Sequence, residues 1–360
     1  MSTLKTDALG SPNFATNLQV GDGFVRREYY EQATTPETNT NSAVWYDTTN
    51  DQIKIFINGT WNIFSSSVYV PPFTGGDTAV FAGGYPFNSF SNVIQTVSIP
   101  TTGNATDFGD LTTSRQNVGT CASKTRGVFA GSGLITTNVM DYIAFATTGN
   151  ATDFGDLVNT NRNVTGLSNL SRGVFGGGQD SGNNGVNTLQ YITISTTGNT
   201  TDFGDLTMAR FSMGGMSSAS RGVFTGGQGG YSTNTRTNVQ DYITIATTGN
   251  ATDFGDMFSD GTFLASCSNG TRGITCGGNY HENIIEYITI DTLGSAADFG
   301  NPVVGKYGRG AANNDTRAVF AGGRDTNVIE YVTIDTLGNG TDFGDLLFTD
   351  AEYISGAAGT

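Results

Sequence analysis

From residue 78 onward the apolar positions fall in short runs closed by glycine or by Asn, Asp and Thr. Thr316-Arg317-Ala318-Val319-Phe320-Ala321-Gly322-Gly323 followed by Asn327-Val328-Ile329-Glu330-Tyr331-Val332-Thr333-Ile334 shows the pattern. Runs of this length, rich in β-branched and aromatic residues and separated by turn formers, predict strands. In one of them Ile284, Glu286, Ile288 and Ile290 point one way and Ile285, Tyr287 and Thr289 the other. Both faces carry apolar groups, so such a sheet must be covered on both sides. The pattern predicts an all-β protein.

The segment Thr-Asp-Phe-Gly-Asp recurs with its first Asp at Asp107, Asp153, Asp202, Asp253 and Asp342, and a diverged copy has Asp298. The spacings are 46, 49, 51, 45 and 44 residues, the size of a four-stranded propeller blade. Each unit reads as a Gly/Ser/Ala-rich strand, a turn with Arg, an apolar strand ending in glycines, a loop of varied length, and a Tyr-centred strand before an acidic turn. Six units make a six-bladed β-propeller. Residues 78 to 84 match a second strand with no inner strand before it, while Tyr353-Ile354-Ser355-Gly356-Ala357-Ala358-Gly359 matches an inner strand with no blade of its own. The C-terminal strand is therefore expected to complete blade one, about Tyr353 to Gly359 lying beside Ala79 to Gly83, and to remove an open sheet edge.

The order of an apolar strand ending in Gly-Gly, then Tyr, then an aromatic residue, as in Val223-Phe224-Thr225-Gly226-Gly227, Tyr242 and Phe254, resembles the kelch repeat over residues 78 to 360. It departs where kelch usually has Trp: these units have Phe108, Phe154, Phe203, Phe254, Phe299 and Phe343. Residues 1–70 contain both tryptophans and no copy of the repeat. Their Trp45-Tyr46-Asp47-Thr48-Thr49, Lys54-Ile55-Phe56 and Asn58-Gly59-Thr60-Trp61 alternate around turns and predict a small meander. This stretch resembles a module of bacteriophage tail-fibre and virion structural proteins, and the start, Met-Ser-Thr-Leu-Lys-Thr-Asp-Ala, resembles that of marine phage fibre proteins. The expected organisation is a virion-attachment β module at 1–70, a linker at 71–76 and the propeller at 77–360. The resemblance implies a virion protein, a tail fibre or other appendage made in the host cytoplasm, contacting other virion proteins through residues 1–70 and forming a homo-oligomer.

Composition narrows the function. Seventeen basic against 32 acidic residues give a net charge of −15, which repels a phosphate backbone, and no Lys/Arg run reverses this locally. Nucleic-acid binding is not expected. No stretch reaches 18 consecutive apolar residues and the first residues lack a signal-peptide apolar run, so neither membrane insertion nor secretion is expected. Cys121, Cys267 and Cys276 form no CxxC and read as buried thiols.

The lone His281 excludes a His-cluster metal site and any mechanism that needs two histidines. The acidic turns invite two functional readings, calcium binding and a sialidase-type Asp box, whose Ser-x-Asp-x-Gly-x-Thr-Trp is absent; plain turn chemistry is preferred to both because Gly and Asn tolerate positive φ and Asp accepts backbone N–H groups. No cofactor and no catalytic residue is assigned. Arg126, Arg172, Arg221, Arg272 and Arg317 occupy one repeated position, where blade one has Thr78. They read as a hydrogen-bonding ring between blades, with anion binding as the alternative. Most length variation lies in the loops between second and third strands, which share a face opposite the acidic turns. These loops supply the receptor-binding candidates Tyr85, Phe87, Phe90, Asn183, Asn184, Tyr231, Arg236, Tyr280, His281 and Arg324, which suit sugars or peptides. The expected function is binding of a host surface glycan or protein without catalysis. The alternatives are a capsid or neck decoration protein making only virion contacts and a glycan-degrading enzyme. Entry near Thr78 and exit near Gly359 place attachment on the uniform face, with the varied loops pointing outward.

Overall fold

A computed structural model shows an all-β chain that divides into two compact units, Met1–Pro71 and Pro72–Thr360. It describes residues 76–229, 235–279 and 282–359, together with six short strands between residues 17 and 65. The linker residues 71–75 lie outside the described residues, as do three of the candidates, Tyr231, Tyr280 and His281.

In the first unit Val44–Asp47, Gln52–Ile57 and Thr60–Ser65 form an antiparallel meander, and Tyr29–Gln32 pairs parallel to the first of these strands. Gly59, with φ of 79°, turns the chain between the last two strands, the conformation that an Asn-Gly hairpin needs. Phe56 and Trp61 then meet edge to face, ring centres 5.3 Å apart.

The second unit is a six-bladed β-propeller, each blade a four-stranded antiparallel sheet. Blade 4 stands for all: Gly214–Ser217 innermost, then Arg221–Thr225, Val239–Thr244 and, outermost, Thr252–Asp256. Ser355–Gly359 pairs antiparallel with Thr78–Ala82, Ser355 opposite Ala82 and Gly359 opposite Thr78, so the C-terminal strand is the inner strand of blade 1. Inner strands crowd the axis because they lack side chains there: a Cβ on Gly166 would meet the Thr120 carbonyl at 2.2 Å, and one on Gly356 the Ala311 carbonyl at 2.3 Å.

The core is a set of layers between blades. Phe81, Val97 and Ile99 of blade 1 pack with Val319, Ile329 and Phe343 of blade 6, and Val80, Ile94 and Phe108 pack with Phe129 and Ile143 of blade 2. Burying a large apolar side chain is worth about 1.5–3 kcal/mol. Both sheet faces contribute, as the alternation in the third strands predicts.

The Thr-Asp-Phe-Gly-Asp segment is the outermost strand, not a turn; the turn precedes it. Each copy binds the turn of the following blade, Gly-Asn in five cases and Gly294-Ser295 in blade 5, where Ser295 Oγ accepts the Asp256 N–H at 3.4 Å. Gly149 N–H donates to the Phe108 carbonyl at 2.7 Å, Ala151 N–H to the Asp110 carbonyl at 2.7 Å, and Asn150 Oδ1 accepts the Asp110 N–H at 3.1 Å. Asn199, Asn250, Asn339 and Asn104 repeat the last bond, Asn104 closing the ring onto Asp345. The repeated glycine is required for contact: a Cβ on Gly109, at φ of 149°, would lie 2.3 Å from the Gly149 carbonyl. The side-chain acceptors are thus five turn asparagines and Ser295, not the aspartates, and the motif is a clasp between blades.

The arginine ring also joins blades. Arg126, Arg172, Arg221, Arg272 and Arg317 each donate to a carbonyl of the following blade, those of Ile194, Ile245, Ile290, Ile334 and Ile99, at 2.8–3.1 Å. Each guanidinium lies over its own blade's Tyr, 4.3 Å from the Tyr142 ring centre in blade 2. The Tyr packs in turn on the outer-strand Phe, 5.9 Å for Tyr142 with Phe154. Blade 1 lacks both partners, having Thr78 and Thr96. All three cysteines are free, and burial raises their thiols, Cys276 to about 12.

Candidate functional site: the axial mouth of the varied face

The blade-to-blade connections lie on the same face as the varied loops, and each delivers one residue to the axis two positions before an inner strand. Those residues are Asn117, Asn163, Ser212, Phe263, Gly308 and Tyr353, and every one has φ between 47° and 71°. Five are not glycine, and a left-handed conformation costs a non-glycine residue on the order of 1 kcal/mol or more. The ring offsets this with hydrogen bonds: Asn117 N–H donates to the Tyr353 carbonyl at 2.7 Å, Ser212 N–H to that of Asn163 at 3.1 Å, and Phe263 N–H to that of Ser212 at 2.9 Å.

The side chains divide the mouth in two. On one side Asn117 Nδ2 donates to Asn163 Oδ1 at 2.7 Å, and Asn163 Nδ2 to Gln179 Oε1 at 3.0 Å, with Ser212 alongside. On the other, Phe263 stacks with Tyr353 at 5.0 Å and with Tyr307 at 6.2 Å. Below them is a recess of about 80 Å³ lined by the starts of the inner strands, with Asn117, Ser212 and Phe263 at its entrance. Its described lining has one ionisable side chain, Arg309, held at 2.7 Å by Glu330. Burial and the neighbouring Glu352 raise the Tyr353 hydroxyl above the ordinary phenol range, so it remains a donor. Such a mouth offers aromatic faces for a sugar ring or an apolar side chain and amides for hydroxyls or peptide groups.

The sequence candidates distribute around this mouth rather than forming one site. Arg324 reaches it: its Nη1 donates to the Tyr307 hydroxyl at 2.9 Å, and its guanidinium lies 5.9 Å from that ring. Tyr85 and Phe90 stack at 5.3 Å, and the Tyr85 N–H donates to the Glu352 carbonyl at 2.7 Å, next to Tyr353. Phe87 is exposed at the tip of the same loop. Asn183 and Asn184 belong to the blade 3 loop, where they bond Arg162 and Asp180. Arg236, over blade 4, pairs with Asp260 at 3.4 Å.

Asn117, Asn163, Ser212, Phe263, Tyr307 and Tyr353 were not singled out from sequence. Five of them recur at the repeat spacing, so aligning the blade-to-blade connections as well as the loops would have found them. The chain matches no known protein-family profile and no curated protein sequence.

Proposed function

We propose that the protein is a bacteriophage virion component, a tail fibre or appendage, whose propeller is a non-catalytic head that binds a host surface glycan or protein. Residues 1–70 hold it to other virion proteins in a homo-oligomeric assembly. The observation that carries the binding role is the axial mouth, where Phe263, Tyr307 and Tyr353 face Asn117, Asn163 and Ser212 on a backbone locked by hydrogen bonds. A preorganised aromatic and amide surface lowers the ordering cost of binding. The virion assignment rests on the resemblance of the segment around Trp45 and Trp61. A density map of the particle is expected to find residues 1–70 against virion proteins and the varied face turned outward; absence of the chain from purified virions would remove this reading.

A second reading, decoration through virion contacts alone, is favoured by Val158, Phe258, Val303 and Leu347. These stand at one repeated position, five residues after the first Asp of the motif, and are 48–64% exposed. A map showing that rim covered by another virion protein would support it.

A further inference from the structure

Every third strand carries a buried polar residue at one position: Gln95, Asp141, Gln190, Asp241, Glu286 and Glu330. What it meets is set by the residues just before the inner strand. In blades 2 and 4 the residue four places before that strand is Arg115 or Arg210, bound to Asp141 or Asp241, and in blade 6 Arg309 reaches Glu330 from one place before the strand. In blades 1 and 3 the residue four places before it is Ala351 or Asn161, and the third strand has the neutral Gln95 or Gln190. Charge and countercharge thus change together in five blades.

Blade 5 breaks the rule: Gly261 stands at the arginine position and the acid, Glu286, is kept. The residue opposite it on the second strand, Phe in the other five blades, is Thr275. Both reductions open onto a cavity of about 10 Å³ lined by Met257, Gly261, Leu264, Thr275 and Glu286, space for one water-sized sphere. Glu286 is 3% exposed. Its Oε2 accepts the Phe258 N–H at 3.0 Å, and no protein donor reaches Oε1. Burial pushes this carboxyl up to about 7.

Two other charges near the cavity are already paired. Asp260, also in the lining, is bridged to Arg236, and Arg309 is bound to Glu330 with Cys276 Sγ at 3.6 Å. Glu282 and Lys306 approach the lining at Gly277 through their carbonyls. One uncompensated negative charge and room for one small sphere fit a single positive charge. A divalent ion would require further carboxylates to balance its charge.

We infer that the blade 5 cavity is a binding site for one monovalent cation of about the size of water, ammonium or potassium, held by Glu286 where other blades use an arginine.

The test is the melting temperature of the full chain in ammonium, potassium or tetramethylammonium chloride at equal ionic strength. At pH 8.5 the small cations should raise it by about 2–4 °C over tetramethylammonium, which cannot enter. At pH 5.5, with Glu286 protonated, the difference should vanish. E286Q should remove the cation dependence at both pH values. G261R should remove it too, by restoring the pair that Arg210 makes with Asp241; the backbone at 261 is not left-handed, and a Cβ there meets only the end of Leu264 at 2.9 Å. Equal melting temperatures in the three salts at pH 8.5, or a cation effect that survives in E286Q or G261R, would overturn the inference.

Discussion

Arg210 has 0% exposure and is held by Asp241 Oδ2 at 2.8 Å and by the carbonyls of Gly226 and Val239 at 2.7 and 2.5 Å. Arg210→Met keeps the aliphatic stem and removes the charge. Asp241 would retain the Thr207 N–H at 3.2 Å and hydroxyl at 2.5 Å but lose its countercharge. Breaking one partner of a buried pair costs about 3–5 kcal/mol. At roughly 2 °C per kcal/mol for a ring of this size the melting temperature should fall by about 6–10 °C. The double substitution R210A/D241Q copies the pairing of Ala351 with Gln95 in blade 1 and should recover at least half of that loss. Differential scanning calorimetry and urea midpoints measure both. A melting temperature for R210M within about 2 °C of wild type, or a double variant less stable than R210M, would refute the reasoning.

Three further outcomes are expected. Deleting residues 352–360 removes the inner strand of blade 1, and size-exclusion chromatography should show aggregates; a soluble, cooperatively melting truncation would contradict closure by that strand. A chelator should move the melting temperature by less than about 2 °C, because the clasp uses asparagine and backbone groups; a fall of more than about 10 °C would make the outer strands metal sites. Glu286 titrates near 7 when folded, against an ordinary value of 4.5, so its protonated form contributes stability that is full below about pH 4.5 and lost as pH rises through about 7. In a large-cation buffer the wild type should therefore melt lower at pH 8 than at pH 5, and E286Q should flatten that window; a wild-type rise with pH would contradict it.

The ring was legible because its repeat is written in residues with few substitutes. Gly109 and its equivalents sit against the next blade's backbone, where only hydrogen fits, so the Thr-Asp-Phe-Gly-Asp spacing survives in the sequence and gives blade count and closure. The role of that motif was harder to see, since an acidic, glycine-bearing segment suits a turn as well as an outer strand, and the deciding bond from Asn150 runs to another blade. The arginine ring was placed between blades correctly, but its partners are carbonyls and Tyr rings, which carry no charge for a sequence to show. The axial mouth was missed for a related reason. A left-handed φ at Phe263 or Tyr353 is imposed by ring geometry and contradicts local preference, so residue type alone gives no hint of it.

The binding role is tested most directly by a glycan array probed with the full chain, beside the variants Tyr307→Ala and Arg324→Ala and a control at Leu170→Ser, away from the mouth. The account predicts that wild type and L170S bind the same subset of host surface glycans, while Y307A and R324A lose at least about tenfold in affinity, roughly 1.4 kcal/mol, with unchanged melting temperatures. Glycan binding that is equal in all four proteins, or no binding to glycans or host cells by any of them, would contradict it.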